Sequence, residues 1–249
     1  MKTDTARAVP PMERRLVIEM MDTLELRGMR AAFEKIGADV PPELPSAMRL
    51  IGELLEAEIA ARRARSVRFQ MARAHLPAAK ELDDFRFAGT PIDECQVRNL
   101  AAGALGRSRR NILFVGAPAT GKTHLAVAIT RNWIRNGARG RFEVASDLIS
   151  RLEYEALAGR EGAIAAELVQ LDFLVLDELD RQPSARTQLL VQLLDRLIGR
   201  MSLIVTIDQR EAEWPSVFGD AMAAVLGWLS REGETIETGS RSYRQSETT

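Results

Sequence analysis

The apolar positions of the chain change their spacing once, near residue 90. Before that point they recur at helical intervals. Leu16, Met20, Leu24 and Leu26 make one stripe over residues 13–36, which predicts a helix interrupted at Gly28. Asp39 to Pro45 is rich in turn formers. Ser46 is placed to cap a second helix over about 47–75, where Leu50, Ile51, Leu54, Leu55 and Ile59 recur at helical spacing. Pro77 stops that helix, and Gly89 to Pro91 breaks the chain again. Beyond the break, short apolar runs at 111–115, 142–145, 172–176 and 202–206 have strand length. Between and around them, 92–105, 122–136, 147–157, 163–170 and 185–199 carry helical spacing. Short apolar strands separated by helices predict a parallel sheet covered on both faces. The expected organisation is a helical N-terminal domain, residues 1–86, and an α/β domain, residues 87–249.

Composition narrows the classes of function. Thirty-four Lys and Arg stand against thirty-five Asp and Glu, a net charge of −1, which argues against coating nucleic acid or membrane by bulk charge. A local basic patch remains compatible. The single cysteine, Cys95, excludes an intramolecular disulfide framework and a cysteine-based zinc site; it reads as a buried or inert thiol. His75 and His124 have no second ligand at metal-binding spacing. Met1 to Arg15 lacks the apolar core of a signal peptide. No run approaches the ~20 apolar residues of a membrane helix. The expected location is therefore the cytoplasm, with no membrane partner.

Gly116-Ala117-Pro118-Ala119-Thr120-Gly121-Lys122-Thr123 fits G-x-x-x-x-G-K-[ST] at every fixed position, with an apolar strand before it and a helix after it. The glycines let the backbone curl so that successive N–H groups and the helix N-terminus face phosphates. Lys122 would reach the β- and γ-phosphates of ATP, and the Thr123 hydroxyl would bind Mg2+. About fifty residues on, Phe173-Leu-Val-Leu176 ends in Asp177-Glu178. An acid at the C-terminal end of a buried strand lies beside the phosphate loop in this fold class. Asp177 would join the magnesium shell, and Glu178 would polarise an attacking water.

With these motifs in place, the chain resembles the IstB-type helper ATPases of insertion sequences, AAA+ proteins close to the helicase loader DnaC. The resemblance runs from about Met21 to Arg244. Leu24 to Phe33, Leu54 to Arg65, Leu82-Asp-Asp-Phe85, Gly121-Lys-Thr-His124-Leu-Ala126, Ser202 to Thr206 and Ser242-Tyr-Arg244 are similar to successive family segments. Glu213-Trp214 and Phe218-Gly-Asp220 resemble a stretch more typical of IstB than of DnaC. The resemblance implies a P-loop AAA+ domain that binds ATP and Mg2+ between neighbouring subunits. It also implies a homo-oligomer that engages DNA and recruits or activates a transposase. His124, Asp208 and Arg244 join the expected nucleotide contacts on this basis.

Three departures bear on turnover. Asp208 stands before Gln209 where the family usually has Asn, and its charge beside a γ-phosphate is unfavourable. Gly227-Trp228 stands where the family has Asp-Arg, whose Arg reaches a neighbour's nucleotide. Arg231 shares a helix face three residues on and is the candidate substitute, provided that Gly227 does not break the helix. Ala119 replaces a usual Gly, which is tolerable unless φ must be positive.

Arg62, Arg63, Arg65 and Arg68 are candidate contacts to the DNA backbone, or else a solvated face paired with Glu56 and Glu58. Arg107, Arg109 and Arg110 form a second candidate, and Arg241 accompanies Arg244 in the tail. No interleaved aromatics point to base reading. Trp133 reads as core, whereas Trp214 and Trp228 either pack or form an assembly surface. Beside the transposition helper stand two other readings: a DnaC-like helicase loader, and an ATP-gated DNA-binding adaptor with little turnover.

Overall fold

The computed structural model describes residues 11–35, 47–103, 109–180 and 184–240. The turn at 39–45, Ser46, Arg107, Arg241 and Arg244 lie outside them. The chain divides into two compact units, Met1–Phe69 and Gln70–Thr249. Residues 70–86, read from sequence as the end of the N-terminal domain, thus belong with the second unit.

In the first unit the single helix expected over 13–36 is two, α1 (Pro11–Thr23) and α2 (Arg27–Lys35). The chain turns between them, where Glu25 takes a φ of 54°. Gly28 does not cause the break. It is buried in the first turn of α2, and a Cβ there would collide with Ala57 and Ala61 of the long helix α3 (Ala47–Arg73). Glycine is needed for that close approach. Beside it, the buried Glu58 carboxylate accepts from the Gly28 N–H (2.6 Å) and the Met29 N–H (3.2 Å). It therefore satisfies two of the unpaired donors at the start of α2. Arg62 (2.7 Å) and Arg65 (3.3 Å) donate to its other oxygen. These bonds, Arg62 first, hold the Glu58 carboxyl down at about 2. Leu16, Met20, Leu24, Leu55 and Ile59 are exposed.

The second unit is a five-stranded parallel sheet: β1 (Ile112–Gly116), β2 (Gly140–Val144), β3 (Phe173–Leu179), β4 (Ser202–Ile207) and β5 (Glu234–Gly239). The strand order is β2-β3-β4-β1-β5, with every pair parallel. Helices α4 (Glu94–Ala102), α5 (Lys122–Arg135), α6 (Ala145–Leu157), α7 (Ala163–Leu168), α8 (Ser184–Leu197), α9 (Trp214–Phe218) and α10 (Asp220–Arg231) connect or cover the strands. Alternation along the strands divides the core. Leu113, Val115, Leu174, Leu176, Leu203 and Val205 pack with α6, α8 and α10. On α5, Trp133 meets Phe173 edge-on at 5.6 Å, and its Nε1 donates to the Leu100 carbonyl of α4. Trp133 is core, as expected. β5 has no apolar run; only Ile236 and Thr238 are buried in it, and pairing with β1 defines it.

Gly227 does not interrupt α10, and it is buried there. Trp228 packs partly buried against the core, and Trp214 is almost wholly buried. Cys95, expected to be buried or inert, is exposed on α4. Among the described residues no helix is long and apolar enough to cross a membrane.

The stretch after α3 is a strap along the second unit. The Phe142 N–H of β2 donates to the Ala74 carbonyl (2.7 Å), and Ala74, Leu82 and Phe85 are buried. Glu81 clamps the strap to α5, accepting from Arg131 (2.9 Å) and Arg135 (2.8 and 2.6 Å). The Arg135 guanidinium, then Arg131, holds the Glu81 carboxyl below its ordinary value.

Candidate functional site

At the C-terminal ends of β1, β3 and β4 the phosphate loop, the strap, Glu178 and Asp208 line a cleft of about 840 Å³. Such a crevice outside the carboxyl ends of parallel strands is the usual ligand position in an open α/β sheet. The loop leaves β1 at Gly116 and enters α5 at Gly121, whose φ of 100° is left-handed. Phe85 of the strap occupies the place a Cβ of Gly121 would take, so glycine is required there twice over. Ala119 also has a positive φ, 62°. The condition under which alanine would be unfavourable at this position is therefore met.

β5 supports the loop from behind. The Ala117 N–H donates to the Gly239 carbonyl (2.9 Å), and the Thr120 and Thr238 hydroxyls share a hydrogen bond (2.6 Å). Thr120 also donates to the Ala117 carbonyl (2.8 Å), so its side chain shapes the loop rather than facing the cleft. Pro118, Ala119, Gly121, Lys122 and Thr123 line the cleft itself. His124 lines it too, but its Nε2–H donates to the Glu81 carbonyl (2.9 Å) and its ring meets Phe85 at 5.2 Å. A carbonyl only accepts, so that nitrogen carries the proton.

Lys122 is buried, and its ammonium donates to the Gly116 and Ala117 carbonyls (both 2.8 Å). It also pairs with Asp208 Oδ1 at 2.7 Å. Thr123 Oγ1 donates to Asp177, 3.0 Å from each carboxylate oxygen. Thr206 Oγ1 donates to Asp177 Oδ1 (2.6 Å) and accepts from the Glu178 N–H (2.9 Å). Burial pushes the Asp177 carboxyl above its ordinary value. The bonds from Thr206, Thr123 and the Glu178 N–H, and the Lys122 charge, pull the other way. Two of the groups that bond this carboxylate, Thr123 and Thr206, are neutral hydroxyls, and a cation approaching the buried carboxylate would stabilise its charged form. The donor set of a carboxylate and a hydroxyl, all hard oxygens, suits Mg2+, which takes its other ligands from phosphate and water. Among the described residues no three His, Cys, Asp or Glu side chains could hold a metal by themselves.

Glu178 stands one residue past Asp177, where the pairing of β3 with β4 slips between Leu176 and Leu179. Its φ of 54° departs from extended geometry and its side chain is exposed to the cleft. Strain of this kind in a non-glycine residue is retained where the surroundings impose it, often at active sites. The structure thus brings together Lys122, Thr123, Asp177, Glu178 and Asp208. Thr206 and Thr238, and strap residues Pro77 to Lys80, were not read from sequence as part of the site. Thr206 carried a signal, a polar residue near the end of an apolar strand; the strap carried none.

Two of the four candidate DNA-contacting arginines, Arg62 and Arg65, are engaged by Glu58; Arg63 and Arg68 are exposed. Arg231 is exposed at the end of α10, with Nη1 3.4 Å from where a Cβ of Gly227 would lie. Trp214 Nε1 donates to the Gln209 carbonyl (3.1 Å) and so anchors the loop that carries Asp208.

The family model of IstB-like ATP binding proteins matches residues 19–249 of this chain. An insertion-sequence ATP-binding protein of Sinorhizobium fredii is 33% identical over 232 residues, 91% of this chain and 78% of that protein. The ATP-binding protein of insertion sequence IS21 from Pseudomonas aeruginosa is 33% identical over 201 residues, 78% of this chain and 75% of that one. Among solved structures, the DnaC helicase loader is similar in fold. It has a TM-score of 0.53 at 23% identity and covers 63% of this chain and 95% of its own.

Proposed function

Because the chain belongs to the IstB-like ATP binding family, we propose that it is the ATP-dependent helper of a DNA transposition system. In this reading its second unit binds ATP with Mg2+ in the cleft. The ATP-loaded chain assembles with further copies on DNA, through its helical N-terminal region, and recruits or activates a transposase. The observation that carries the nucleotide step is the meeting of Lys122 and Thr123 with Asp177 and Glu178 at the C-terminal ends of β1 and β3. Residues 19–249 fall within the family match, which supports the transposition setting over a helicase loader, whose likeness to this chain is one of fold.

The chemistry follows from the positions. The loop amides and Lys122 hold the phosphates, and Thr123 with Asp177 hold the magnesium that neutralises their charge. Glu178 orients a water onto the γ-phosphorus and takes its proton. The new P–O bond forms as the bridging β–γ P–O bond breaks, giving ADP and phosphate. Turnover is slow in this reading, because Trp228 is packed into the fold and carries no charge for a neighbouring site.

The test is ATP hydrolysis by the purified chain with and without duplex DNA. Expected is a rate that vanishes in Lys122→Ala and falls by on the order of 10²–10⁴ in Glu178→Gln, with ATP still bound by the latter. Hydrolysis that survives Glu178→Gln would contradict the role of Glu178. A chain that binds ATP but shows no turnover would favour the adaptor reading.

A further inference from the structure

The ammonium of Lys122 has three protons and meets three acceptors within the protein, the Gly116 and Ala117 carbonyls and Asp208 Oδ1. Any phosphate oxygen that binds this lysine must displace one of them. The Asp208 contact is the charged one, at 2.7 Å. The Asp208 side chain is 46% exposed, but its lysine partner and its backbone are held in place. Lys122 is only 7% exposed, and the loop carrying Asp208 is pinned by the buried Trp214 through the Gln209 carbonyl. Asp208 lies two residues past Thr206, which bonds Asp177, and it lines the same cleft as Lys122 and Glu178. Its carboxylate adds negative charge beside any phosphate that takes up Lys122, and a triphosphate brings more charge there than a diphosphate.

We propose that Asp208 is a charge latch on Lys122 that sets the nucleotide preference of the cleft, holding the lysine and disfavouring a terminal phosphate. The site is thereby biased toward nucleoside diphosphate over triphosphate. This rests on the reading of the cleft as a nucleotide site.

The test is a titration of fluorescent ATP and ADP analogues, in Mg2+ buffer, against the wild-type chain, Asp208→Asn, Asp208→Glu and Lys122→Ala. Asp208→Asn keeps the size and removes the charge. Expected is an ATP affinity about 5–10-fold tighter than wild type, with ADP changed by less than about twofold, in line with one partly exposed ion pair plus local repulsion. Asp208→Glu keeps the charge and retains the wild-type preference to within about twofold. The same ATP-to-ADP ratio in wild type and Asp208→Asn, or weaker ATP binding in Asp208→Asn, would overturn the latch. Binding that does not depend on Lys122, or no nucleotide binding by any variant, would instead overturn the nucleotide reading and the latch with it.

Discussion

Ala119 shows what spacing alone leaves out. The fixed glycines and the lysine of the loop were legible because phosphate binding demands them at set intervals, but φ is not written in the sequence. At 62° Ala119 is held in the left-handed region, which costs an L-residue roughly 1–2 kcal/mol. Replacing it by glycine removes that strain but adds about 0.4–1 kcal/mol of unfolded-chain entropy. The balance gives a gain of ~0.5–1 kcal/mol for Ala119→Gly, read as a later midpoint in urea with an unchanged slope. A loss of stability would show that the loop relaxes around alanine. Glu178 sits in the same region of backbone space for a different reason. The slip in register after Leu176 turns it from the sheet into the cleft, and no residue pattern announces that slip.

Elements were legible where apolar runs are long enough to define them, as in β1, β3 and β4. β5 was not, since Glu234 to Gly239 buries only Ile236 and Thr238 and becomes a strand through its pairing with β1. The division of α1 from α2 was missed because the turn uses Glu25 with neither glycine nor proline. What fixes α2 is Glu58. Its carboxyl is held at about 2, against 4.5 in the unfolded chain, so it must lose a proton-free, bonded state as acid is added. Its contribution is complete above about pH 4.5 and is lost as pH falls through about 2. In the full chain, amide exchange at Gly28 and Met29, corrected for the intrinsic pH dependence of exchange, is expected to accelerate across that window. In Glu58→Gln it is expected to be on the order of tenfold faster already at neutral pH. Unchanged protection in Glu58→Gln would mean that packing at Gly28 alone seats the helix. The same bonds engage Arg62 and Arg65, so a DNA contact by either would compete with Glu58.

For the whole molecule, a net charge of −1 places any DNA affinity in local patches and in assembly rather than in bulk attraction. The two units were legible as a change from helical spacing to alternating strands and helices. Their division at Phe69 and Gln70 was not, because the apolar residues of the strap between Ala74 and Phe85 follow neither helical nor strand spacing, and the strap is tied down by Glu81 and by the edge of β2. In the proposed function, nucleotide in the cleft gates assembly on DNA. The most direct measurement is sedimentation of the full-length chain on a duplex, with a non-hydrolysable ATP analogue, with ADP and with no nucleotide, beside Lys122→Ala. Several copies per duplex with the ATP analogue alone, lost in Lys122→Ala, is the expected result. The same number of copies under all conditions and in Lys122→Ala would contradict the claim.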